Sequence, residues 1–221
     1  MSIADEPIFQ WLSQFAYEPN MVYLGLIVMM LLSSVGLPLP EEVTLISVGV
    51  LVFMGRHPDL FPPPYPGAPV VGVHMAATVA FCAVFFSDFL IYFIGRFFGR
   101  KLLQKPTVKR FFPDHLIVKA EAWTKKYGPL ACGIFRFTPG LRFPGHLACG
   151  MFKFPAWKFG VIDGLAAGLS VPTQIYLLAI YGEVILGVLQ EFKLIVLSLL
   201  VLAGIVFLVV NYFKKRRAVS L

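Results

Sequence analysis

Apolar residues along this chain fall into runs separated by prolines, glycines and charges. Ile8, Trp11, Leu12 and Phe15 recur at helical spacing, so residues 1–20 read as a short amphipathic helix closed by Glu18-Pro19-Asn20. Its shortness and polar opposite face suit the membrane interface rather than a span. Met21 to Leu37 is apolar but under the ~20 residues that cross a bilayer, and it ends in Gly36-Leu37-Pro38-Leu39-Pro40 followed by Glu41-Glu42. Val43 to Met54 is too short to cross alone. Two apolar halves around prolines and carboxylates predict a re-entrant hairpin over 21–54. The competing arrangement is a full span ending at Pro38, with both glutamates in headgroup water.

The pattern then continues through a Pro-rich loop at 55–69, which cannot be helical, and a span over 70–98 that carries Asp88. Arg96 and Arg100 near its end are placed to reach the headgroups. A helix over 113–127, with Leu116, Ala120, Trp123 and Tyr127 on one face, suits the leaflet surface and stops at Gly128-Pro129. The stretch 129–151 is apolar yet holds Arg136 and Arg142, with Pro139-Gly140 between them and Pro144-Gly145 just after. A charge near the bilayer centre costs at least ~2.5–3.5 kcal/mol on insertion scales. A second broken hairpin facing a hydrated cavity is therefore expected here, with Pro38, Pro40, Pro139, Gly140, Pro144 and Gly145 as the breaks. A span over 157–181 follows, with Gly160, Gly164 and Gly168 at a spacing that lets another helix approach. A last span over 192–213 ends in a basic tail, 214–221.

Composition strengthens this membrane reading. The chain has 221 residues, 58% of them hydrophobic, and a net charge of +7. No Lys or Arg precedes Arg56, and the basic residues gather at 96–126, around 136–158 and in Lys214-Lys215-Arg216-Arg217. Such blocks mark cytoplasmic loops on anionic lipid rather than nucleic-acid binding. The tail and the 96–128 loop are then cytoplasmic, and the 55–69 loop, the 182–191 turn and the N-terminus external. The two hairpins enter from opposite faces, each followed by one span. The expected fold is thus an all-α polytopic membrane protein, an inverted repeat of hairpin plus transmembrane helix with one additional C-terminal transmembrane helix. The acidic N-terminus lacks the basic start of a secretory signal, so no cleavage is expected. Cys82, Cys132 and Cys149 lie in apolar segments without Cys-x-x-Cys spacing and read as small core residues.

The candidate chemistry lies in the charges. Arg136 and Arg142 offer forked donors that match phosphate oxygens; alternatively they pair with Glu41, Glu42, Asp88 or Asp163 as structural ion pairs. Glu41 and Glu42 cannot both stay ionised side by side in low dielectric, so one of them could bind and release protons; otherwise they form a solvated loop tip. Asp88 is a second candidate for a proton or an ion pair, and Asp163 a weaker one near the interface. His146 is either a titrating group or, more commonly for such a residue, a hydrogen-bonded structural histidine. No catalytic, metal-ligating or phosphate-loop motif is present in the sequence, so no enzyme, metal or cofactor is expected.

Phe135-Arg136-Phe137-x-Pro139-Gly140-x-Arg142 with Gly150 resembles the signature of the DedA (SNARE-associated or VTT-domain) family of membrane proteins. So do Gly36-Leu37-Pro38-x-Pro40-Glu41-Glu42 with Gly49, and Asp88-x-x-x-Tyr92-x-x-Gly95-Arg96-x-x-Gly99. The resemblance covers 21–182. It implies a bacterial inner-membrane transporter, of flippase or scramblase type, for undecaprenyl phosphate or another anionic phospholipid, with links to the proton-motive force. It places two essential arginines on Arg136 and Arg142 and an embedded acid on Glu42 or its neighbour Glu41. A further acid that some members need upstream is replaced here by Met29-Met30-Leu31, and Cys149 stands where alanine is usual. The partners implied are the lipid, the bilayer and protons, with a homo-oligomer left open. The rival classes are a structural or interaction membrane protein with buried ion pairs, and a membrane enzyme acting on lipid phosphate.

Overall fold

The structure, a computed structural model, describes residues 7–35, 41–103, 114–138, 141–184 and 186–187. The expected breaks at Pro38, Pro40, Pro139 and Gly140, the span 192–213 and the tail 214–221 lie outside the described residues. Those described are helical or in turns and loops, without strand.

Helix α1 (Pro7–Phe15) bends by 94° into α2 (Pro19–Ser34). Pro19 opens α2 in its first turn, where the missing N–H has no helical partner to lose. At 16 residues each, α2 and α3 (Glu41–Arg56) measure about 24 Å at 1.5 Å per residue. Both fall short of the ~30 Å hydrocarbon layer. They pack on one another, as halves of a re-entrant hairpin would. Acids in the first turn of α3 and Arg56 in its last complement the helix dipole. The loop 57–72 is tied back by Tyr17 Oη, which donates to the Phe61 carbonyl (2.5 Å), and by the Val71 amide, which donates to the Ala16 carbonyl (2.9 Å).

Among the described residues two helices are long and apolar enough to cross a membrane: residues Val73–Gly99 of α4 (Val73–Leu103), and Ala156–Val184. Between them stand α5 (Asp114–Tyr127), a 3-10 turn (Gly128–Leu130), α6 (Ala131–Arg136) and α7 (Arg142–Met151); Ala156–Val184 is α8. Gly128 ends α5 at φ 57, a left-handed conformation that favours glycine. Helix α5 is more than a surface helix. Its Ala120 and Thr124 are buried, and Trp123 stacks on Phe135 of α6 at 6.1 Å, while Lys119, Lys125 and Lys126 stay exposed.

The break expected at Pro144-Gly145 is absent. Both residues are buried inside α7, because Pro144 sits in the first turn, where a helix tolerates proline. Helix α7 lies directly against α4: a Cβ on Gly150 would stand 2.0 Å from the Tyr92 carbonyl oxygen, so only glycine permits this approach. The glycine stripe of α8 works differently. Gly160 and Gly164 form hollows filled by the rings of Phe89 and Phe85 of α4, so aromatic knobs fill the groove, with no close approach of backbone. Cys132 and Cys149, expected as separate core residues, are joined by a disulfide that links α6 to α7, with Cα atoms 6.7 Å apart. Helices α6 and α7 turn these two positions face to face across the hairpin, and local spacing does not display that. Cys82 is free and exposed.

Candidate functional site

Charged residues from α3, α4, α6, α7 and α8 meet in one buried cluster. Asp88 of α4, fully buried, is its hub. One carboxylate oxygen of Asp88 accepts from Arg142 Nη2 at 2.7 Å and lies 3.0 Å from His146 Nδ1. The other accepts from Arg136 Nη2. Asp163 of α8, also fully buried, places Oδ1 at 3.3 Å from Arg136 Nη2 and 3.4 Å from His146 Nε2. Glu41, at the start of α3, pairs with Arg142 and lies 3.9 Å from Arg136 Nη1. His146 is sealed in, its ring edge-on to Phe159 at 5.3 Å, with Nε2 also 3.3 Å from the Cys132 carbonyl.

These placements correct the sequence reading in three respects. Glu41, not Glu42, is the acid inside the cluster; Glu42, the next residue on the helix, is exposed. Asp163, the weaker candidate in the sequence, is fully buried in the cluster. Phe159, Asp163, Ala167, Val171 and Ile175 are all buried, and their spacing of four in the sequence was the available signal that Asp163 faces inward. Arg96 does more than reach for headgroups. Its Nη1 donates to Tyr92 Oη (2.8 Å) and to the Phe154 carbonyl (3.1 Å), to which Tyr92 Oη also donates (2.5 Å). The third motif thereby fastens the loop that leaves α7. Met30, where the resemblance pointed to an upstream acid, is buried, its carbonyl accepting from Ser87 Oγ at 3.0 Å.

Ligand-capable atoms of Asp88, His146 and Asp163 lie within 4.8 Å of one another, a spacing that could hold a metal ion. The same oxygens already accept from two guanidiniums, whose charges oppose a metal cation. A cavity of about 450 Å³ adjoins the cluster, walled by Glu41, Glu42, Arg136, Arg142, Thr173 and Gln174. Exposed Phe137, Leu169 and Leu177 flank it. Arg142 Nε is buried beside this space without a hydrogen-bond partner.

Comparisons with known proteins place the chain among membrane proteins. The model of the VTT domain matches residues 39–182. The chain is 30% identical over 209 residues to an uncharacterised membrane protein of Mycobacterium tuberculosis, covering 91% of this chain and 88% of that one. It is 29% identical over 156 residues to an uncharacterised membrane protein of Haemophilus influenzae, covering 70% and 68%. To the undecaprenyl phosphate transporter A of Bacillus subtilis it is 28% identical over 159 residues, covering 72% and 68%. No solved structure matches the chain. With the domain matched over residues 39–182, most of its length, the chain belongs to the VTT-domain, or DedA, family of membrane proteins.

Proposed function

We propose that this protein moves an anionic lipid, undecaprenyl phosphate or another anionic phospholipid, between leaflets of a bacterial inner membrane. The observation that carries the reading is the mixed lining of the cavity. It combines two guanidiniums with exposed leucine and phenylalanine side chains. A phosphate head needs the first and an oily tail the second. Arg142 is the receiving group: an unpartnered buried donor costs about 1–3 kcal/mol, which a phosphate oxygen at Nε would recover. Arg136, only 4% exposed and held by three carboxylates, fixes the floor. A headgroup entering here competes with Glu41 for Arg142, and exchange between the two is the proposed step of the cycle. The inverted relation of the two hairpins, opening the cavity alternately to each face, is part of this proposal. The similarity to a named undecaprenyl phosphate transporter supports the lipid class.

Full-length protein in liposomes with fluorescent anionic lipids tests the reading. Headgroup exposure should exchange between leaflets and fall with Arg142→Lys, which keeps the charge but loses the fork. Unchanged exposure for every anionic lipid would sink it, and release of inorganic phosphate would point to an enzyme instead. The closed ion pairing of Arg136 favours a second reading, a structural lock between hairpins. Arg142→Lys protein that folds and exchanges lipid as wild type does would support the lock.

A further inference from the structure

The cluster's charges do not balance. Glu41, Asp88 and Asp163 bring three carboxylates, and Arg136 and Arg142 two guanidiniums. With a neutral imidazole at His146 one negative charge remains buried, and a bound anionic headgroup would add to it. Buried uncompensated charge is strongly unfavourable.

The imidazole stands where a compensating proton would go. His146 Nδ1 faces Asp88 Oδ1 at 3.0 Å, and Nε2 faces Asp163 Oδ1 at 3.4 Å and the Cys132 carbonyl at 3.3 Å. Both ring nitrogens therefore face oxygens that accept. A neutral imidazole carries one N–H, leaving its other nitrogen lone pair against an oxygen lone pair; an imidazolium donates at both ends. Asp163 Oδ2 is buried without a partner, so this carboxylate also has an oxygen free to take a proton.

The elements around the ring supply no further charge among the described residues. Helix α3 presents Glu41, α4 Asp88, α6 Arg136, α7 Arg142 and α8 Asp163. Helix α5 turns Ala120 and Thr124 inward and keeps Lys119, Lys125 and Lys126 exposed. Helix α2 contributes buried Met30 and Ser34.

We propose that the Asp88–His146–Asp163 chain is the proton-binding site of this protein, loaded with one proton when an anion lies between Arg136 and Arg142. The proposal rests on the headgroup reading of the cavity but names a different set of groups for the proton. The chain also conducts. A proton passing from Asp163 to Nε2, with the Nδ1 proton passing to Asp88 Oδ1, moves one proton from the α8 span to the α4 span and leaves the imidazole neutral. No bond other than N–H and O–H changes.

Two measurements on the detergent-purified full chain test it. The first uses decyl phosphate as the probe and a pH-indicating dye in weak buffer. Wild type should take up about one proton per anion bound. His146→Gln and Asp163→Asn should lose that uptake and, with it, the pH dependence of decyl phosphate binding, because the two are linked. Uptake that persists in both variants but vanishes in Glu41→Gln or Glu42→Gln overturns the proposal. The second is nitrogen-15 spectroscopy of the His146 ring in wild type, which needs no variant at this position to fold. The ring should gain its second proton at higher pH with decyl phosphate than without. A ring holding one tautomer from about pH 5 to about pH 9, with and without the anion, also overturns it. If wild type binds no decyl phosphate, the headgroup reading falls. The ring's titration without the anion then decides the proton site alone, and a ring that gains no second proton rejects it.

Discussion

The two hairpins differ in what holds them. The first, α2 with α3, packs through aliphatic contacts: Val22, Leu26, Met30, Leu45, Val48 and Val52 belong to one apolar core with α4. Among the described residues, Glu41 is the side chain it sends into the charged cluster. The second, α6 with α7, supplies both guanidiniums, the imidazole and a disulfide, and it meets α4 almost backbone to backbone. Apolar packing tolerates small displacements at modest cost, whereas buried charge pairs are lost when one partner is removed. In the proposed cycle, therefore, the first hairpin is the part that shifts and the second the anchor against which it moves.

The largest effect should come from Asp88. Asp88→Asn removes the acceptor shared by Arg136, Arg142 and His146, and breaking a buried pair from one side costs about 3–5 kcal/mol. Thermal unfolding in detergent, followed by tryptophan fluorescence, should show a large fall in midpoint. A midpoint unchanged from wild type would mean that the cluster is wet and that the second hairpin is no anchor.

Next come the glycines, one in each hairpin. Gly150→Ala drives a methyl to 2.0 Å from the Tyr92 carbonyl and 2.8 Å from the Arg96 amide nitrogen, and backbone cannot step aside. Gly49→Ala drives one to 2.4 Å from Leu178 Cβ, which no change of rotamer moves, so relief requires α3 to shift as a whole against α8. The expected costs are about 3 kcal/mol for the first and about 1 kcal/mol for the second, read from the same unfolding curves. Equal costs would erase the difference between anchor and mover.

Much of this could be read from residues alone, and the failures share one cause. Runs of apolar residues give the spans and short hairpin halves, because length against bilayer thickness is a one-dimensional property. Arg136, Arg142 and Asp88 stand out because charge in an apolar run needs a partner. Which partner depends on rotation about helix axes and on where each helix starts. Glu41 and Glu42 are adjacent, and only the start of α3 at Glu41 decides which one turns inward. Asp163 lies close to Trp157 in sequence and so suggests the interface, until the buried stripe through Phe159 and Ala167 fixes its phase. The Cys132–Cys149 pairing spans 17 residues and exists only once α6 and α7 are folded back.

That disulfide ranks below the glycines. Closing a loop of this size is worth up to about 3 kcal/mol where the open chain is free, but here the apolar contacts of α6 and α7 already confine the loop. Reduction with a membrane-permeant phosphine should lower the unfolding midpoint by less than Gly150→Ala does. A drop as large as that of Asp88→Asn would make the covalent link, rather than the charges, what fixes the second hairpin.

The smallest effect separates the two glutamates and probes the mobile side of the contrast directly. Glu42 is exposed at the cavity, so Glu42→Gln should leave the unfolding midpoint within the roughly 0.5 kcal/mol of an ordinary surface change. Its charge still repels an approaching phosphate at a distance that salt screens. Lipid exchange by Glu42→Gln should therefore run slightly faster than wild type at low ionic strength and equal it at high. Glu41→Gln weakens the tie between the first hairpin and Arg142, so its exchange rate should change at every ionic strength. If salt instead abolishes the Glu41→Gln effect and spares that of Glu42→Gln, α3 starts in another phase and Glu42 is the residue that reaches the arginines.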